Sequence, residues 1–437
     1  MRRGLALLGL ALLAWLAAGQ SGRPVFYHLA YLLTGVVILS AFWAWYNVLG
    51  LEVQRDLASP RSQVGKILEE RLSIRNRGPL TKLWVEVRDD STLPGHTASQ
   101  VVTALGPGQR REWLVRTWCQ RRGRFRLGPL TLRSGDPFGI FRVQRLLPEV
   151  RYAVVYPATV DLLYFPPLVG EYPGGDATRR RTHHVTPNVA GVRDYVPGDS
   201  FNRIHWPSTA RTGRLIVKEF ELDPTADIWL FLDMDRDAHF SAPWTEAFFA
   251  ERTGPALLWQ RRGELELPPA TEEYAVTIAA TLARYYLRLG RAVGLVAYAQ
   301  TREVVQADRG DRQLNKVLET LAVITAGGAV PLAQVLAAEG TALGRGVAIV
   351  AITADPSTDW VASLRHLQRR GVRTLAVFLA AETFAQAPSS RAASAELEGS
   401  GIPTCFVRKG DDLAAVLSQV RVSPGLLELP RAPLRAR

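Results

Sequence analysis

The residues best placed to do chemistry follow the apolar run Ile228–Leu232 and read Asp233-Met234-Asp235-Arg236-Asp237. Three carboxylates at alternate positions after a buried strand offer hard oxygen ligands to Mg2+ or Ca2+. Asp355, just past the apolar segment 346–353, would serve as a distal fourth carboxylate. The spacing also fits positions 1, 3 and 5 of an EF-hand loop. However, Ala238 stands where glycine is wanted and Trp244 where the bidentate glutamate belongs, so that reading is set aside. The plain alternative is an acidic loop without metal. No nucleophile elbow, Walker A loop, HExxH motif or catalytic triad is visible. The seven histidines are scattered, and His183-His184 has no third ligand nearby.

The densest stretch is 191–221, GVRDYVPGDSFNRIHWPSTARTGRLIVKEFE. Pro197-Gly198-Asp199 predicts a tight turn, because proline fixes φ and glycine accepts φ > 0. Residues 215–221 alternate as a strand does. Arg193, Arg203, Arg211, Arg214 and Lys218 are interleaved with Tyr195, His205, Trp206 and Phe220. The acids Asp194, Asp199, Glu219 and Glu221 nearly balance these cations, which argues against a nucleic-acid surface. We read the stretch as a paired arginine-carboxylate and aromatic network docking two domains, with His205 part of it. The competing reading is an exposed ligand or partner surface.

The pattern G-x-R-x-Y-x-P-G-D-x-x-x-x-I-x-W-x-x-x-A-R is carried by Gly191, Arg193, Tyr195, Pro197, Gly198, Asp199, Ile204, Trp206, Ala210 and Arg211. It resembles the signature of the domain-of-unknown-function 58 family of bacterial and archaeal proteins. The segment RRGRFRLGPLTLRSGDPFGIFR resembles the stretch that precedes the signature there. The resemblance implies a membrane tether, a degenerate von Willebrand factor A-like domain and a MoxR-type AAA+ ATPase partner, in a non-enzymatic interaction or adaptor role. In such a domain the metal-binding adhesion site opens with Asp-x-Ser-x-Ser. Asp233 matches, but Asp235 and Asp237 replace both serines, and 326–329 lacks the expected threonine. Three aspartates would still hold a hard cation, yet would repel an incoming partner carboxylate. The alternative is a metal-dependent phosphohydrolase of haloacid-dehalogenase type using Asp233 and Asp235. Thr353 and Lys409-Gly410-Asp411-Asp412 follow in suitable order, but Asp237 breaks that pattern.

Several elements must position these residues. At 437 residues the chain has room for two or three domains. Its net charge of +12 has no run of six basic residues behind it, so proximity to anionic lipid explains it better than nucleic acid. The two cysteines, Cys119 and Cys405, lie far apart and predict neither a disulfide framework nor a zinc site.

Residues 1–51 form the anchor, with apolar runs at 5–18 and 29–51; the second is long enough to span a bilayer. Trp43, Trp45 and Tyr46 sit where an aromatic belt belongs. Arg2, Arg3, Arg55, Arg61 and Lys66 favour a hairpin with both ends cytoplasmic, in a cell-membrane protein whose soluble domains are cytoplasmic. A cleaved signal ending near Ala17-Ala18-Gly19-Gln20 is the alternative.

Residues 52–150 alternate as short strands and predict a small all-β, sandwich-like domain. There Arg121, Arg122, Arg124 and Arg126 read as a solvated strand face. Residues 151–188 are proline-rich and read as a linker. Residues 189–425 combine the signature with alternating strands and helices, a doubly wound α/β domain with 240–269 as an insertion. A tail occupies 426–437.

Overall fold

The computed structural model describes residues 2–165, 189–196, 204–220, 227–243, 267–344 and 347–419. Charge-free apolar sequence makes two long helices at the start, α1 (Arg2–Ser21) and α2 (Pro24–Val48). Gly22, at φ +67°, stops the first, and Pro24 opens the second where its missing N–H costs nothing. The two helices pack together, with Trp15 Nε1 donating to Thr34 Oγ1 at 3.1 Å and the Trp15 ring edge-on to Tyr31. Both are long and apolar enough to cross a membrane. The second apolar run does not stay helical to 51: α2 ends at Val48, and Leu51 already begins a strand.

Ten strands follow, β1 (Leu51–Leu57), β2 (Arg61–Gln63), β3 (Ile67–Asn76), β4 (Lys82–Asp89), β5 (Gln100–Leu105), β6 (Arg110–Trp118), β7 (Gly123–Leu127), β8 (Leu130–Gly135), β9 (Arg142–Leu147) and β10 (Arg151–Tyr156). They form sheets ordered β1-β3-β6, β5-β4-β8-β9 and β2-β10-β7. Leu72, Ile74 and Val115 from the first sheet share one core with Val85, Val87, Leu105 and Leu132 from the second. Arg55, Glu70, Asp89 and His96 are buried together inside this domain, with Arg55 Nη2 2.6 Å from Asp89 Oδ1 and His96 Nε2 3.1 Å from Glu70 Oε2. Arg55 also faces Glu70, so both acids share one buried cation, which is what makes the burial tolerable.

The expected linker is corrected in part. Residues 151–156 are β10, antiparallel to β7 and parallel to β2, so the β-rich domain runs past 150. Residues 157–165 then strap onto the next domain, burying Ala158 and Phe165 in its core. Residues 166–188, including His183-His184, lie outside the described residues.

The signature contributes a hairpin of β11 (Val189–Asp194) and β12 (Ile216–Phe220), with a short helix α3 (Trp206–Thr212) between them. The α/β domain then starts at β13 (Ile228–Leu232) and continues through α4 (Thr271–Arg288), β14 (Val293–Tyr298), β15 (Arg302–Asp308) and α5 (Asp311–Val323). After α6 (Leu332–Val335) come β16 (Ala348–Thr353), α7 (Asp359–Arg369), β17 (Arg373–Leu379), α8 (Arg391–Ser400), β18 (Thr404–Val407) and α9 (Leu413–Leu417). The sheet order is β15-β14-β13-β16-β17-β18, parallel except for the antiparallel edge β15. One face buries Ala275, Ile278 and Leu282 of α4 with Val317 and Leu321 of α5. The other buries Leu332 of α6, Trp360 and Leu364 of α7 and Leu397 of α8. Helices on both sides explain why β13 and β16 are buried at every position and apolar up to Thr353. Of the expected insertion, 244–266 lies outside the described residues.

Candidate functional site

The carboxyl ends of β13 and β16 lie side by side, because these strands pair in parallel at the centre of the sheet. Asp233, 2% exposed, is therefore brought to Thr353, whose Oγ1 donates to Asp233 Oδ2 at 2.5 Å. The same Thr353 oxygen accepts from the Asp355 backbone N–H at 2.9 Å. Asp233 Oδ1 accepts from the Asp235 N–H at 3.1 Å. Burial pushes the Asp233 carboxyl up to about 7; the hydrogen bonds from Thr353 and Asp235 oppose the rise, and the nearby charges of Asp355 and Asp235 add to it.

His239 completes the crest. Its Nε2 donates to the Asp233 carbonyl at 2.8 Å, and its Nδ1 faces Thr271 Oγ1 at 3.1 Å. Burial lowers the His239 pKa, which disfavours the charged ring. Loop 326–328 clips onto this turn, Arg236 N donating to the Gly328 carbonyl and Gly328 N to the Met234 carbonyl. A Cβ on Gly328 would lie 2.8 Å from the Met234 oxygen, so the approach requires glycine.

The four aspartates do not form one donor set. Both Asp233 oxygens are engaged internally, as above. Asp355 accepts from the Ser357 N–H at 2.8 Å and from its hydroxyl at 2.7 Å. The Asp237 side chain is 85% exposed and lies 3.9 Å from Arg236. Among the described residues, no three His, Cys, Asp or Glu side chains are placed to hold a metal ion. The expected Mg2+ or Ca2+ set of Asp233, Asp235, Asp237 and Asp355 is therefore not assembled among the described residues. What the arrangement provides is a protonatable buried acid locking two central strands together.

Beside this crest a cleft of about 820 Å3 separates the β-rich domain from the α/β domain, lined in part by Arg121, Arg124, Arg236, His239, Glu272 and Glu273. Its floor corrects the solvated-face reading of Arg122. That side chain is only 4% exposed, with Nη2 2.6 Å from Glu272 Oε1 and Nη1 2.5 Å from Glu273 Oε1. Nη2 also donates to the Ile324 carbonyl at 2.8 Å. Arg122 precedes β7, in the turn after β6, so strand alternation does not govern it. The two glutamates occupy the first turn of α4, where the helix dipole favours negative charge. The acidic pair opening an amphipathic helix was the signal available in the sequence.

Of the signature residues expected to form a docking network, only part lies among the described residues. Trp206 is 64% exposed, Arg211 is exposed, and α3 buries none of its residues. His205 caps α3, its Nδ1 accepting from Ser208 N at 3.3 Å. Tyr195 is half-buried and donates its backbone N–H to Leu215 O at 2.9 Å. Gly191 and Arg193 lie on β11, paired with Glu219 and Val217 of β12. Pro197, Gly198, Asp199 and Arg203 lie outside the described residues. What is buried is the seam beneath the helix, Ile204, Ile216 and Val217.

Residues 191–248 match the family model described as "Protein of unknown function DUF58". Over that segment the chain is similar to the DUF58 family. It is 24% identical over 378 residues to "Uncharacterized protein YeaD" of Bacillus subtilis (strain 168), covering 84% of each chain. Among solved structures it is similar to the CARDB domain of the PF1109 protein from Pyrococcus furiosus, at 17% identity and TM-score 0.19. That match covers 24% of this chain and 86% of the other. A β-glucosidase from Listeria innocua in complex with glucose gives 13% identity and TM-score 0.16, over 24% of this chain and 16% of the other.

Proposed function

We propose that this chain is a DUF58-type, membrane-anchored, non-enzymatic interaction protein whose partner is a MoxR-type AAA+ ATPase. The α/β domain is read as von Willebrand A-like and the β-rich domain as a sandwich. The order β15-β14-β13-β16-β17-β18 with its antiparallel edge supports the first reading, and the core shared by two sheets supports the second. The helical hairpin would hold both soluble domains on the cytoplasmic side.

The observation that carries this reading is the pairing of a buried, internally saturated Asp233 with an exposed signature helix. A carboxylate whose two oxygens are taken by Thr353 and Asp235 is a poor nucleophile or metal ligand. An exposed Trp206 beside exposed Arg211 is the side-chain chemistry of a protein-protein anchor. Co-purification of the detergent-solubilised chain with the ATPase, with and without nucleotide, tests it; absence of any nucleotide-dependent association would count heavily against it.

The phosphohydrolase reading keeps one supporting contact, Thr353 on Asp233, at the end of an apolar strand followed by Asp235. Phosphatase turnover with Mg2+ that disappears in Asp233→Asn would overturn the interaction reading.

A further inference from the structure

The end of the β-rich domain beside the helix termini carries an apolar tip that no other part of the described chain covers. Loop 136–141 packs against the first turn of the candidate span Gly4–Ser21: a Cβ on Gly4 would lie 3.5 Å from the Phe141 ring and 3.6 Å from Ile140. The last turn of α2 holds the same end of the domain. Asn47 Nδ2 donates to the Gly135 carbonyl at 2.9 Å, Leu80 N donates to Tyr46 Oη at 3.1 Å, and Lys82 Nζ donates to the Tyr46 carbonyl at 2.7 Å. Loops 77–81 and 136–141 are thus fixed at the level where both helices begin or end.

The loop is also rigid. Buried Asp136 accepts from the backbone N–H groups of Phe138 at 2.9 Å and Phe141 at 2.6 Å. Gly139 makes the turn at φ +69°. Held this way, Phe138 is 60% exposed and Leu80 44%, with Arg142 exposed at the start of β9.

We propose that this end of the domain is a lipid-contact surface, with Phe138 and Leu80 seated in the headgroup layer of an anionic bilayer and Arg142 on its phosphates. The inference rests on reading α1 and α2 as membrane-crossing, which places the two loops at the interface. Aromatic and apolar tips flanked by arginine suit that layer, where one end of a side chain is dry and the charge stays wet.

The test uses the full-length chain reconstituted into phosphatidylcholine vesicles with and without phosphatidylglycerol. Phe138→Cys, Leu12→Cys and Leu289→Cys are each labelled with an environment-sensitive fluorophore, with the unlabelled parent as blank, since Cys119 and Cys405 are buried. The Leu12 probe should be quenched by nitroxides deep in the acyl chains. The Phe138 probe should be blue-shifted and quenched by headgroup nitroxides, more so with phosphatidylglycerol. The Leu289 probe should be quenched only by aqueous iodide. Adding Arg142→Gln to Phe138→Cys should remove the phosphatidylglycerol dependence; an unchanged dependence overturns the role given to Arg142. A Phe138 probe as open to iodide as the Leu289 probe, with Leu12 still quenched by lipid, overturns the lipid-contact surface alone. A Leu12 probe that no lipid nitroxide quenches overturns the hairpin and this inference with it.

Discussion

Arg122 of the β-rich domain and Glu273 of the α/β domain meet with Nη1 2.5 Å from Oε1, while the same guanidinium holds Glu272 and the Ile324 carbonyl. This one side chain joins the end of β6 to α4 and the loop after α5. Removing one partner of a fully buried pair costs about 3–5 kcal/mol. The glutamates are 24% and 19% exposed, so the loss here should fall below that range. Arg122→Ala is expected to lower the melting temperature and expose 157–165 to protease. Arg122→Lys should rescue little, since an ammonium cannot fork to two carboxylates. A melt and cleavage pattern unchanged in both variants would remove Arg122 as the joint.

Asp233 gives the α/β domain a pH dependence with a definite sign. Its carboxyl is raised by burial from 3.8 to about 7, so the folded chain holds a proton that the unfolded chain has released. The stabilisation is fully present at acidic pH and is lost as pH rises through about 7, at roughly 1.4 kcal/mol per pH unit within the window. Denaturant titrations between pH 4 and 8 should show this slope in the parent. They should show a flatter profile in Asp233→Asn, whose amide can mimic the protonated acid towards Thr353. Identical slopes in the two proteins would contradict the assignment.

The central strands were legible because both faces of the sheet are covered. Ile228–Leu232 and Ala348–Thr353 are buried at every position, and continuous apolar runs announced them. The two opening helices were equally plain. Arg391–Ser400 was missed because only Ala393 and Leu397 of that helix are buried, leaving a faint period. Arg122 was misread because composition resembles a strand face, and nothing local reveals a partner 150 residues away. The signature showed that its residues belong together but not which side faces water. Trp206 read as part of a docking network, whereas the buried seam is made by Ile204, Ile216 and Val217.

Lys82 closes the end of α2. Its Nζ donates to the Tyr46 carbonyl and lies 3.6 Å from the centre of that ring, and burial lowers its pKa to about 8. Lys82→Met keeps the apolar stem and removes one of two donors to the Tyr46 carbonyl, which still accepts from Leu49 N at 3.1 Å, an expected loss of about 0.5–1.5 kcal/mol. Detergent-phase denaturation followed by tryptophan fluorescence measures it; no loss would mean that the contact holds nothing.

Because Trp206 and Arg211 are exposed, their replacement should change stability by no more than about 0.5 kcal/mol. Trp206→Ala and Arg211→Lys should therefore melt with the parent. A melt lowered by several degrees in either variant would restore a structural docking role to the signature.

The most direct test of the interaction reading is a pull-down of the solubilised chain with the MoxR-type ATPase, with and without nucleotide, for the parent, Trp206→Ala and Arg211→Lys. The account predicts nucleotide-dependent association in the parent and its loss in both variants at unchanged melting temperature. Absence of association in the parent, or equal association in all three, would contradict it.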